Sequence, residues 1–178
     1  MKKYLPAAAA VVAVLAAASA TPAAATAAAP VPSASTVAPS PSPVRVVASG
    51  ERVDAGGGWT VWLTEEGKHW SGPDGYENFR SVVDGNVDLS RPGVSHQSEG
   101  SEAGVFHSGL FYGTKKAGQV VLTGTDGTKT TAALLELPGR PGWGVWYAHT
   151  GPENDGGAAV ALYDRNGRLL AELPGWNA

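Results

Sequence analysis

From residue 44 onward, large apolar side chains recur at every second position in short runs broken by Gly, Asn, Asp and Pro. No stretch there shows a capped 3.6-residue apolar period. Asp126-Gly127 separates runs at 119–125 and 128–137. As the central pair of a type I′ turn, this dipeptide sets Val120, Leu122, Ala133, Leu135 and Leu137 on one core face. Arg165-Asn166-Gly167 likewise joins 158–164 to 168–173 and aligns Val160, Leu162, Leu169, Ala171 and Leu173. Both hairpins end in Leu-Pro-Gly, at 137–139 and 173–175, where Pro stops strand pairing and Gly turns the chain. Glu65-Glu66-Gly67 is a third tight turn, between 59–64 and 68–70, and shorter runs lie at 45–49, 79–83, 105–112 and 144–148. About eight or nine short strands predict an all-β fold: an antiparallel β-sandwich first, a partly closed barrel second.

The first 43 residues do not share this pattern. They hold 17 Ala and 7 Pro, no acid, and only Lys2 and Lys3 as charges. Lys2 and Lys3, the apolar run 7–18 and the small residues Ala18-Ser19-Ala20 make 1–20 a secretory signal peptide, too short and Ala-rich for a spanning helix of about 20 residues. The tract 21–43 is Pro, Ala, Ser, Thr and Val, too poor in large apolar groups to offset its ordering entropy, and reads as a disordered linker. That leaves 44–178 as a single domain. With no Cys in the chain, neither a disulfide framework nor a lipidated thiol is available. The expected location is extracellular, without membrane attachment once the leader is removed.

Charge narrows the partners. Removing Lys2 and Lys3 leaves eleven of the thirteen Lys and Arg against sixteen Asp and Glu, a formal charge of −5 instead of −3. An acidic chain with no basic run is not expected to bind nucleic acid, whose phosphates require one. A monomer is expected.

Among the six Trp, Trp59, Trp62, Trp70 and Trp146 alternate with Thr and Val and read as core packing and cross-strand pairs. Trp143 differs, because Gly139-Arg140-Pro141-Gly142 before it and Gly144 after it offer no neighbouring apolar side chain. It either stacks on a ligand such as a sugar ring or folds back as a plug over the sheet end. Tyr76, in Ser71-Gly72-Pro73-Asp74-Gly75-Tyr76, and Trp176 near the C-terminus are further candidate ligand-binding residues.

The segment 84–104 shows little strand pattern and reads as a long polar loop, a length usually functional or mobile. It carries His96, Glu99 and Glu102 without matching any metal signature. Asp84 to Asp88 begins like a calcium loop, but Leu89 stands where Gly is required and Ser95 where the bidentate Glu belongs. No metal or cofactor is expected. The chain has no Cys nucleophile, G-x-S-x-G elbow, H-E-x-x-H pair or phosphate-binding Gly loop, so no catalytic residue is assigned and an enzyme is not expected.

The stretches from Glu66 to Ser71 and from Leu134 to Tyr147, with the Ala-rich leader and Gly-rich β-domain, resemble small secreted proteins of actinomycetes. The likeness covers most of the domain and implies an exported actinobacterial context, with no activity and no site residue attached. The favoured reading is a secreted, non-catalytic β-domain that binds an extracellular ligand, a wall or environmental polysaccharide before others. The second is a protein-interaction or inhibitor domain presenting 84–104 to a secreted partner. The third is a small metal-dependent hydrolase centred on His96 or His107.

Overall fold

The computed structural model describes residues 43–101, 104–152 and 157–176; the leader 1–20 and the linker as far as residue 42 lie outside them. Fourteen strands and no helix occur among the described residues. They are β1 (Arg45–Val46), β2 (Val53–Gly56), β3 (Trp59–Thr64), β4 (Gly67–Ser71), β5 (Glu77–Ser81), β6 (Gly93–Val94) and β7 (Gln97–Ser101). There follow β8 (Gly104–Tyr112), β9 (Ala117–Thr123), β10 (Lys129–Thr131), β11 (Ala133–Glu136), β12 (Trp143–Thr150), β13 (Ala159–Asp164) and β14 (Leu169–Leu173). No described helix is long and apolar enough to cross a membrane.

These strands form three sheets and no closed barrel. The central sheet runs β1-β11-β12-β8-β6, with β7 also on β8; an N-terminal sheet runs β2-β3-β4-β5 and a C-terminal sheet β10-β9-β13-β14. All pairings are antiparallel except β1 with β11. Two cores result. Val53, Val61, Leu63 and Trp70 of the N-terminal sheet pack on Phe106, Leu110, Leu135 and Val145 of the central one. Val120, Leu122, Val160 and Leu162 of the C-terminal sheet pack on Phe111, Leu134 and Trp146 from its other face. The sandwich expectation therefore holds, with a third sheet added.

With both faces covered, β8 and most of β12 are buried at nearly every position, whereas β2 alternates between buried and exposed. Two glycines make the central sheet possible. Gly109 lies opposite Trp146, and a Cβ on it would sit 1.9 Å from the Ser95 carbonyl oxygen and 2.6 Å from the indole nitrogen. Gly144 lies opposite Phe111, whose ring occupies the space its Cβ would take. Each missing side chain makes room for its partner's ring.

Besides Leu169, expected on the core face, which the bulge between Leu162 and Tyr163 leaves 46% exposed while Leu170 packs on the core, two expectations are corrected. The turn at Asp126 is a three-residue loop, with Gly124 N–H donating to the Thr128 carbonyl (2.9 Å) and Gly127 at φ 81°. That shifts pairing by one residue, to Thr123 with Lys129 and Val121 with Thr131, and a shift of one moves every side chain to the other face. Ala132 and Leu134 thus join Val120 and Leu122, while Leu135 and Leu137 enter the opposite core. The run 128–137 is also two strands, β10 in the C-terminal sheet and β11 in the central one. Second, 84–104 is only partly a loop: β6 and β7 lie within it and pair with the two ends of β8. The remainder, 84–92, is held by Asp84 and Asp88 side chains accepting from Asn86 and Ser90 backbone N–H groups.

Gly109→Ala is expected to lower unfolding free energy by about 3 kcal/mol, because the new methyl meets backbone that cannot move aside cheaply. A chemical-denaturation midpoint, compared with that of an open-turn control such as Gly127→Asn, measures it.

Candidate functional site

Alternation along β3, β4 and β5 sends Trp62, His69 and Phe79 to the solvent face of the N-terminal sheet, in one row across three strands. Trp62 and His69 stack with centroids 5.3 Å apart and planes 10° from parallel; His69 meets Phe79 at 4.6 Å. The Arg52 guanidinium lies 3.9 Å from the centroid of the Trp62 ring and pairs with Glu77 at 2.6 Å. This cover leaves Trp62 nearly inaccessible although it faces outward. Burial lowers the His69 imidazole, against the opposing pull of Glu66 and Glu77, so the ring is held neutral and can share a hydrogen bond with Thr64 (3.1 Å). The row ends at Phe79, which is 48% exposed on the edge strand.

Of the residues picked from sequence, Tyr76 is 76% and Trp176 86% exposed. Tyr76 stands one residue before β5, next to Glu77; Trp176 is remote in sequence from that strand. Trp143 is the plug: only 4% exposed, it opens β12 and belongs to the core between the central and N-terminal sheets. Its ring is unavailable for stacking on a ligand. It shares that core with Val47 and Leu137, which lie just beyond β1 and β11, so the glycines flanking it in sequence say nothing about its surroundings.

Inside the sandwich a polar group spans two sheets. Lys68, 0% exposed, projects from β4 toward β7 and β8, donating to Gln97 Oε1 and to Ser108 Oγ, both at 2.8 Å, with its Nζ 3.8 Å from the Trp70 ring centroid. Trp70 Nε1 donates in turn to Glu99 Oε1. Burial pushes the Lys68 ammonium down to about 7; the Glu99 carboxylate opposes that shift and the Arg80 guanidinium adds to it. An amine made neutral so easily, against a Ser hydroxyl, has the composition of a Ser–Lys nucleophile pair. Both residues are closed off, so an external substrate has no path to Ser108 in this state. Sequence reading missed Lys68, although the strand period of two puts it on the face of Trp70, because a Lys is ordinarily placed in solvent.

The opposite face of β8 carries a second chain. His96 Nε2 lies 2.9 Å from His107 Nδ1, and His107 Nε2 lies 2.8 Å from Thr150 Oγ1. Since Thr150 donates to the Gly151 carbonyl, His107 donates to Thr150 and accepts from His96, which requires the His107 ring neutral. Burial accordingly pushes His107 down to about 4, and the neighbouring His96 and His149 add to that. Trp146 Nε1 donates to the Ser95 carbonyl beside them. Glu99 turns to Trp70 on the other face and Glu102 lies outside the described residues. Among the described residues no three His, Asp or Glu converge on a metal. A shallow cleft of about 850 Å³ also opens beside β1, where Arg140 and Arg165 flank Val46 and Pro138.

No protein-family model, curated protein or solved structure matches the chain.

Trp143→Ala is expected to cost about 3–5 kcal/mol by emptying a core site, read as a fall in the denaturation midpoint. His107 gives a pH dependence of stated sign. Its folded value lies below the unfolded 6.5, so its stabilisation is complete above about 6.5 and lost as pH falls toward about 4. Melting temperatures of wild type and His107→Gln should therefore have unequal slopes between pH 6.5 and 4, the variant's being shallower.

Proposed function

We propose that the chain is an exported, non-catalytic binding module that holds a polysaccharide of the wall or the environment on the solvent face of its N-terminal sheet. The observation that carries this reading is the row Trp62, His69, Phe79, in which the covered Trp62 backs His69 and the row opens to solvent at the half-exposed Phe79 ring. A sugar ring offers an apolar C–H face and a rim of hydroxyls. The strip suits the first, and Arg52, Glu77 and Thr64 beside it suit the second. Tyr76 adds an exposed ring next to the same edge. The leader sequence supports export, in keeping with the small secreted actinobacterial proteins that the chain resembles. A binding role also suits a molecule in which Lys68 and Ser108 are both closed off from external substrates.

The full chain, recovered after export, should be retained on one of insoluble chitin, cellulose or peptidoglycan. Phe79→Ala should weaken retention about tenfold, the loss of one stacking contact, with only a small fall in melting temperature from the lost packing on His69. Retention on none of the three polymers would overturn the sugar reading.

A further inference from the structure

We propose that Lys68 and Gln97 become joined by an intramolecular amide bond, which ties β4 of the N-terminal sheet to β7 of the central sheet. This is independent of the binding reading and shares no residue with it.

Three reactants meet between the two sheets: the buried Lys68 amine, and the Gln97 carboxamide and Glu99 carboxylate at partly buried positions of β7. Lys68 Nζ is 2.8 Å from the Gln97 carbonyl oxygen. A C=O bond of about 1.2 Å then places the carbonyl carbon within about 4 Å of the amine. Reacting atoms are poised at about 3–3.5 Å, so little movement is needed. Glu99 follows Gln97 by two residues in β7 and thus shares its face, where Trp70 Nε1 anchors its carboxylate. The Trp70 ring and Ser108 hold Nζ on its remaining sides and keep water away. Burial supplies the neutral amine that attack requires, as described above. The charged groups acting on that amine are Glu99 and Arg80, and His96 lies near enough to feel its charge.

The step balances without an oxidant or co-reactant. The Nζ lone pair adds to Gln97 Cδ; Glu99 takes a proton from Nζ and delivers it to the departing side-chain nitrogen. One C–N bond forms, one breaks, and ammonia leaves. Lys68 ends as an amide N–H that can still donate to Ser108. The two residues are 29 apart in sequence and belong to different sheets. In a chain without Cys, such a link restricts the unfolded state as a disulfide does elsewhere.

Mass spectrometry of the purified full chain, incubated at pH 8–9 so that Lys68 is largely neutral, tests this. The expected intact mass is lower than that of the sequence by one ammonia. A tryptic digest should contain segments 53–80 and 81–115 joined, with no cleavage after Lys68. Full mass, with cleavage after Lys68 and an unmodified Gln97 peptide, would overturn the proposal whatever any variant does. Glu99→Gln, which keeps the shape and removes the proton carrier, should give unlinked protein of full mass. A link formed there as completely as in wild type would overturn the role assigned to Glu99.

Discussion

Because the central sheet is covered on both faces, each polar side chain carried by the buried parts of β8 and β12 must find its partner inside the protein. Ser108 and His107 are adjacent, so the pleat sends them to opposite faces. Ser108 meets Lys68 from the N-terminal sheet, and His107 meets His96 and Thr150. No buried side-chain nitrogen or oxygen among the described residues lacks a partner. The same constraint fixes the glycines: an aromatic ring inside a doubly covered sheet needs an empty position opposite, and Gly109 and Gly144 provide it.

The outer sheets divide the remaining work. The N-terminal sheet turns Lys68 and Trp70 inward and, one residue out of phase, Trp62, His69 and Phe79 outward. Its two faces therefore differ in chemistry as well as in exposure: a buried amine that meets a partly buried amide and carboxylate within, and an aromatic strip clamped by Arg52 and Glu77 without. The C-terminal sheet contributes mostly apolar burial, and its last strand, β14, leaves Leu169 and Leu173 partly in solvent.

Little of the candidate site was legible in the sequence. Trp62 and Trp70 read alike, as alternating strand aromatics, yet one lies under Arg52 on the surface and the other in the core beside Lys68. Trp143, with Gly and Pro as sequence neighbours, reads either as a stacking ring or as a plug, because burial depends on neighbours in space. His96 and Glu99 sit close together in the chain and end on opposite faces, since three residues of extended backbone reverse direction. The row of rings depends on cross-strand register, which no single strand contains.

Turn chemistry and alternation act over a few residues, and these the sequence by itself determined: strands at β3, β4, β8, β9, β12, β13 and β14, the turns between three pairs of them or their neighbours, and the all-β class. The Asp126 turn marks the limit of that reach, because two- and three-residue loops share the same Asp-Gly dipeptide and differ by one step of register. Only the tertiary structure decided which strands share a sheet, that one sheet has no solvent face, and that Lys68 meets Gln97 across 29 positions of chain. Those outcomes follow from long-range packing, in which side chains far apart in sequence compete for the same buried space, and local preferences do not encode the winner.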